Sequence, residues 1–444
     1  MTAPSASPSP GAATDATPPV RMAPIAAAAT VAAALEWFDF FIYTTAAALV
    51  LGKLFFPALG GVEGTLASFA TLAVGFIARP VGGIIAGHLG DRWGRKPTLV
   101  LALACMGVST FGIGLLPTYA TAGALAPALL VALRVIQGLG VGAQWGGAAL
   151  LLTEHAPVRR RGFYGSFVQV GAIGGSILGN LVYLVITASL AEPSFESWGW
   201  RVPFWTGLVL IGVGVYLQRR VEDTPVFRNL RARDDAGTVP RRPPLVAAVR
   251  SHWKQILQAA GAFMVVNAAY YIFISGILSY GTGPLELPRS TMLAIVLGAG
   301  ATQLVTMPLM GLLSDRMSRK KLYLTGTVLL GLWAFPLFWL VDTAQPGLIF
   351  LALAVGFTFH SMMYGPQAAL YAEMFSAHVR YSGASLGYQI ASIFAGGLAP
   401  FIMTALLAAT GASWSVSVYI LVMAVITFAA VSWIKESFQR DLYT

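Results

Sequence analysis

The sequence predicts an all-α polytopic membrane protein with twelve transmembrane helices in two six-helix halves. Three observations carry that expectation. The 444 residues are 57% hydrophobic and only 10% charged, with a mean hydropathy of +0.72; soluble domains are about 25% charged. Apolar stretches of about 20 residues, enough to cross about 30 Å of hydrocarbon as helix, recur along the chain. Finally, Gly87-His88-Leu89-Gly90-Asp91-Arg92-Trp93-Gly94-Arg95-Lys96 returns as Gly311-Leu312-Leu313-Ser314-Asp315-Arg316-Met317-Ser318-Arg319-Lys320. Each copy fills a short gap between apolar runs, so the repeat marks two equivalent membrane halves.

The first half, residues 22–219, holds spans at 24–50, 64–87, 98–117, 124–151, 163–189 and 202–219. The second, 254–436, holds spans at 255–281, 290–313, 322–341, 346–371, 383–409 and 413–434. The alternating ten-residue segments of a membrane β-barrel are absent. Between the halves, residues 220–253 form a linker rich in Arg, Asp and Pro, whose charge keeps it in water beside the bilayer surface. Residues 1–21, rich in Ala, Ser, Thr and Pro, lack the basic start and apolar core of a cleaved signal. They read as a disordered tail, and 437–444 as a second short tail.

A net charge of +10 invites a nucleic-acid reading, but its distribution opposes one. Outside the spans, Lys53, Arg201 and Arg289 are the only basic residues on one side; the remainder gather with the decapeptides, linker and tails. That bias is the positive-inside rule, so both termini and the linker are expected in the cytoplasm and the protein in the plasma (inner) membrane. The single cysteine, Cys105, falls inside span three, rules out a disulfide framework and reads as packing.

Ionisable groups deep in a span are costly and mark function. Glu36 and Asp39 share one helical face with Phe40 and Tyr43, and a carboxyl poised between burial and a nearby arginine can carry a proton. Arg134 and Gln137 share a face of span four. A buried arginine needs a counter-ion or an anionic ligand, and a span-one carboxylate is its best internal partner. Arg79, two turns before the first decapeptide, is open to two readings: contact with a substrate carboxylate, or snorkelling to the interface. Asn267, Tyr270 and Gln389 are weaker cavity candidates, with His360 as a packing group. Gly171, Gly174, Gly175 and Gly179 read as small residues for close helix contact. The decapeptide residues Gly87, Asp91, Arg92, Gly94, Arg95, Asp315, Arg316 and Arg319 form an expected cytoplasmic gate, in which a carboxylate held against helix ends and guanidinium groups latches that side. A second echo, Glu154 and Arg161 after span four against Glu373 and Arg380 after span ten, supports the division into halves.

Gly-x-x-x-Asp-Arg-x-Gly-Arg-Lys at 87–96 and Arg134-Val135-Ile136-Gln137-Gly138 resemble motifs of the major facilitator superfamily. Glu36-Trp37-Phe38-Asp39-Phe40, Arg79-Pro80-Val81-Gly82-Gly83, Trp145-Gly146-Gly147-Ala148, Arg161-Gly162-Phe163-Tyr164-Gly165 and Arg380-Tyr381-Ser382-Gly383 are similar to its metabolite:proton symporter family. The resemblance covers the chain after the tail and implies the major facilitator fold, with proton-coupled import of organic acids or zwitterions. The sequence departs from the family at Gln144, where an acidic residue usually precedes Trp-Gly-Gly.

No ATP-binding loop, metal-ligand cluster or nucleophile–base set appears, so no enzyme activity and no cofactor are expected. The reading is a monomeric secondary transporter whose partners are a proton, a small-molecule substrate and the bilayer. Proton coupling falls to Asp39 or Glu36. Substrate contact falls to Arg134, Arg79, Gln137, Tyr43, Asn267, Tyr270 and Gln389, the arginines favouring a carboxylate-bearing metabolite. A proton-coupled exporter and a non-transporting sensor are the alternatives.

Overall fold

The computed structural model describes residues 22–93, 95–142, 152–154, 156–209, 211–212, 245–375, 380–435 and 438. All regular structure among them is helical. Ten helices are long and apolar enough to cross a membrane, and Val100–Leu115 is a shorter apolar one. Span six is described from its start at Val202 to Val209, and at Ile211 and Gly212. Together these make the twelve spans of two six-helix halves.

Span one is Met22–Ala46, continued by a π-turn at Ala47–Leu51 and Gly52–Phe55. Spans two to five are Gly61–Trp93, Arg95–Leu115, Leu125–Gly142 and Arg161–Ser189. Span seven is Leu245–Tyr271, continued by a π-turn at Ile272–Gly276 and by Ile277–Thr282. Its first residues lie in the expected linker, and non-helical angles at His252 (φ −124°, ψ 20°) break the helix before the membrane part. Span eight is Arg289–Ala301 and Gln303–Arg316. Spans nine and ten are Arg319–Val341 and Pro346–Met374. Span eleven joins Arg380–Ala391, a π-turn at Ser392–Gly397 and Ala399–Thr410; span twelve is Trp414–Trp433. The expected ends of spans four and six, residues 220–244 of the linker and the N-terminal tail lie outside the described residues, as does all of the C-terminal tail but Phe438.

In a bilayer, apolar side chains gain little by leaving lipid for protein, so helices associate where small residues let backbones meet. Gly171 and Gly175 of span five do this against span one. A Cβ on Gly175 would stand 2.5 Å from the Ala34 carbonyl oxygen, and one on Gly171 would strike that of Thr30. Thr30 adds a hydrogen bond from Oγ1 to the Phe167 carbonyl (3.0 Å). Gly174, expected in the same contact, has nothing near it because it lies on another face of the helix. Large apolar residues such as Val305, Leu332, Trp339 and Val425 stay exposed along the outside, the surface that lipid covers.

The π-turns of spans one and seven occupy corresponding places in the two halves and touch each other across the divide. A π-turn leaves a carbonyl without its usual partner, and Ser275 Oγ donates to the Thr44 carbonyl oxygen there (3.4 Å). Spans two and eleven meet where Gly397 lies against Phe76 and Ala73. Spans five and eight meet on the decapeptide face.

Candidate substrate and gating sites

A buried polar network fills the centre of the first half. Asp39 accepts a short hydrogen bond from Thr110 Oγ1 at one carboxylate oxygen and one from Gln137 Nε2 (2.8 Å) at the other. The same Gln137 nitrogen reaches Thr110 Oγ1 at 2.9 Å. Arg134 Nη1 donates to Gln137 Oε1, and its Nη2 reaches the Leu72 carbonyl oxygen at 3.4 Å. The guanidinium lies 3.8 Å above the centre of the Tyr43 ring, whose hydroxyl bonds Thr71. A side chain at Gly75 would collide with this arginine. The expected direct pairing of Arg134 with a span-one carboxylate is therefore replaced by a relay through Gln137. The relay satisfies the amide at both ends and keeps the two charges apart.

Arg79 is treated differently. It is 2% exposed, and its guanidinium sits over the rings of Phe76 (4.2 Å), Phe40 (4.4 Å) and Trp37 (5.9 Å). It forms no ion pair among the described residues, and Nε is enclosed with no acceptor. Buried guanidinium groups are stabilised by aromatic faces but still seek an anion. Glu36, partly exposed, makes no hydrogen bond or close ion pair among the described residues, but Arg79 lies near enough to act on it electrostatically. The sequence placed Glu36 and Asp39 on one face, yet only Asp39 enters the network.

A narrow cavity lies between the halves, lined by Trp37 and Phe41 of span one, Ala172 and Ile173 of span five, and Phe263, Val266, Asn267, Tyr270 and Tyr271 of span seven. His360 and Tyr364 of span ten and Tyr388 of span eleven complete the wall. Asn267 Nδ2 and the Tyr271 hydroxyl are buried there without hydrogen-bond partners among the described residues. Gln389 Oε1 also has no partner among the described residues, although Gln389 is not part of the wall. Tyr270 stacks on His360 with ring centres 5.4 Å apart. His360 Nε2–H donates to the Val266 carbonyl oxygen (3.2 Å), and Nδ1 accepts from Gln303 Nε2 (2.8 Å). Both ring nitrogens are thus satisfied in one neutral tautomer, as a packing histidine requires.

On the decapeptide face the second copy joins the two halves. Asp315 accepts from the backbone N–H groups of Gly162 (Oδ1, 2.8 Å) and Phe163 (Oδ2, 2.8 Å) at the start of span five. Those amides have no helical acceptor of their own and sit at the positive end of the helix dipole, so a carboxylate satisfies both needs. Arg319 Nη1 holds Asp315 at 2.9 Å, while Nε and Nη2 grip Glu373 at 2.8 Å each. Gly162 and Gly311 allow this approach, since a Cβ on Gly311 would lie 2.6 Å from the Gly162 carbonyl oxygen.

Ser318, which stands where the first copy has Gly94, caps span nine by accepting from the Lys321 N–H (3.2 Å). Lys320 donates to the Ser432 and Ile434 carbonyl oxygens at 2.7 Å, tying down the end of span twelve. Arg316, expected in the gate, is exposed and joins no described contact. In the first copy, Gly94 falls outside the described residues; Gly87, Asp91, Arg92 and Arg95 lie in helices whose side chains there are not described.

Sequence reasoning missed three participants. Thr110 gave no signal, because a threonine in an apolar run is ordinary. Glu373 did give one, as half of the second echo, but that was read only as evidence of duplication. Glu196 lies in a short helix between spans five and six and shows its partners only in three dimensions.

Two helical halves, joined by buried charged contacts on one face and enclosing a cavity walled largely by aromatic rings between them, define a membrane transporter. Residues 26–400 match the Major Facilitator Superfamily, and the chain belongs to it. It is 38% identical over 407 residues to the shikimate transporter of Escherichia coli, covering 91% of this chain and 92% of that protein. It is 35% identical over 422 residues to the proline/betaine transporter of Salmonella typhimurium, covering 94% and 84%. The crystal structure of a D-xylose-proton symporter shares the fold with a TM-score of 0.72 at 20% identity, covering 95% of this chain and all of that one. The relatives are transporters, and this protein is a transporter and not an enzyme.

Proposed function

We propose that the protein is a monomeric plasma-membrane symporter that imports a small carboxylate-bearing metabolite with protons by alternating access. The observation that carries this reading is Arg79, a buried cation with no ion-pair partner among the described residues. The vacant donors Asn267 Nδ2 and Tyr271 Oη lie in the neighbouring cavity wall. Together they suit the oxygens of a carboxylate, while Trp37, Phe41 and Tyr270 suit an apolar or ring-shaped body. Shikimate, proline and betaine, named for the relatives, all bear a carboxylate.

In this cycle Asp39 or Glu36 takes a proton on the outer side and substrate neutralises Arg79. Neutralising Asp39 weakens its hold on Gln137 and frees the relay to shift. The latch of Asp315 on Gly162 and Phe163 then parts as the outer side closes, and release follows on the cytoplasmic side, where both termini lie.

The test is uptake by proteoliposomes under an inward proton gradient, with labelled shikimate, proline, glycine betaine and benzoate. Accumulation of at least one that collapses with the gradient supports the symporter. Extrusion without uptake assigns the protein to export, and binding without exchange to sensing.

A further inference from the structure

The face opposite the decapeptides carries a second charged junction. The short helix Glu192–Ser197 follows span five and belongs to the first half. Arg289, the first residue of span eight, belongs to the second. Arg289 Nη1 lies 3.2 Å from Glu192 Oε1, and Nη2 lies 3.4 Å from Glu196 Oε1. The guanidinium also stands 5.3 Å above the Phe195 ring. Glu192 and Glu196 are four residues apart, which places both on one face of the helix.

The helix is anchored to its own half. Phe195 is buried and meets Tyr183 of span five edge-on. Arg201 Nη1 donates to the Ser197 carbonyl oxygen (2.8 Å), closing the helix end, and Nη2 donates to the Leu116 carbonyl oxygen (2.9 Å). Lys53, at the end of span one, reaches Glu196 Oε2 at 2.7 Å. All three cations that the sequence places on this face therefore converge on one six-residue helix.

We infer that Glu192–Ser197 is the bar of the second gate: it closes this face by presenting Glu192 and Glu196 to Arg289, and it releases Arg289 each time the face opens. The arrangement suits repeated opening. Exposed ion pairs are individually weak, and Glu192, 65% exposed at its side chain, returns to water freely. Glu196 is more enclosed, but Lys53 moves with it and stays as its counter-ion after Arg289 departs. Opening thus strands no carboxylate. The latch on the decapeptide face differs, since Asp315, Arg319 and Glu373 are all buried. Salt in the medium screens exposed pairs far more than buried ones, so the bar answers to ionic strength more than the buried Asp315–Arg319–Glu373 contacts do.

Full-length protein in the Cys105→Ser background, spin-labelled at Ala120→Cys and Gln345→Cys, reports the separation of the halves on this face. Arg289→Gln is expected to produce a several-fold rise in the share of the longer distance, and high salt to produce the same shift in the parent protein. Lys53→Gln, which touches only the within-half pair, is expected to leave the distribution in place. An unchanged distribution in Arg289→Gln overturns the inference. So does a shift in Lys53→Gln as large as that in Arg289→Gln, because the cluster would then serve only to hold the first half together.

Discussion

The Asp39 carboxylate and the Arg134 guanidinium do not form an ion pair; the side-chain amide of Gln137 stands between them, donating to Asp39 and accepting from Arg134. A change of charge at Asp39 consequently reaches span four through an amide that must re-pair if either neighbour moves. A direct ion pair would respond by simple separation. The relay instead links the carboxyl of span one to the packing of spans three and four, through Thr110 and Gln137.

Asp39→Asn tests that link. Asparagine keeps the shape but cannot cycle a proton. Gradient-driven accumulation is expected to fall by about tenfold or more, equivalent to about 1.4 kcal/mol, while counterflow exchange changes much less. Equal, mild losses in both assays would remove Asp39 from the coupling step.

Arg79 and Arg134 should separate cleanly. Hydrogen bonds to charged groups contribute about 1.5–3 kcal/mol, so Arg79→Gln is expected to weaken carboxylate binding by roughly ten- to a hundredfold. The thermal stability of the substrate-free protein should change little, because Arg79 makes no ion pair within 4 Å among the described residues and the cost of burying its charge offsets what the rings and the more distant Glu36 contribute. Arg134→Gln breaks a connected buried network and should cost about 3–5 kcal/mol. Calorimetric titration and thermal unfolding of both variants check the pair; a loss of stability in Arg79→Gln would give Arg79 a structural role.

At the latch, Gly162→Ala adds a methyl group where Ser314 Oγ, the Gly311 carbonyl oxygen (2.5 Å) and Arg319 Nη1 (2.9 Å) already stand. The start of span five must then withdraw from Asp315. Asp315→Asn removes the charge without adding bulk and weakens the same contact by about 1–3 kcal/mol. Spin-label distances across the decapeptide face should lengthen in both variants. If only Gly162→Ala opens the face, steric fit holds the latch and the carboxylate does not.

The bar on the other face has a defined pH response. Partial burial works to raise the Glu196 carboxyl, but Lys53 and Arg289 outweigh it and hold the group below its ordinary value of 4.5. A depressed value means that the pairing is fully present above 4.5 and is lost only as pH falls through the lowered value. The distance across this face should therefore stay constant from neutral pH down to 4.5. Opening at a higher pH would show that Glu196 is not the charge that holds it.

Much of the fold was legible because membrane helices obey a local rule. A run of about 20 apolar residues must form helix to satisfy its own backbone, so span count and division into halves follow from the chain alone. The decapeptide repeat set the register of the halves, and Asp39, Arg134 and Gln137 stood out as polar groups where polarity is costly. Pairing was not legible. Glu36 and Asp39 share a helical face in the sequence, yet one joins a network and the other does not. Glu373 was visible as an echo but not as the partner of Arg319. The π-turns of spans one and seven left no mark, since Ala47–Leu51 and Ile272–Gly276 follow no pattern that sets them apart from the helix around them.

By itself, then, the sequence determined a twelve-span, two-half transporter and the residues able to carry charge inside it, because hydropathy and repetition are properties of the chain. Only the tertiary structure decided which charges meet. Arg134 is matched through Gln137, Arg79 is left to three aromatic rings, and Glu196 gathers cations from both halves. Those outcomes depend on helix rotation and on close approach at a few glycines, such as Gly75 and Gly162. Contacts of that kind join residues far apart in the chain, and no local pattern encodes them.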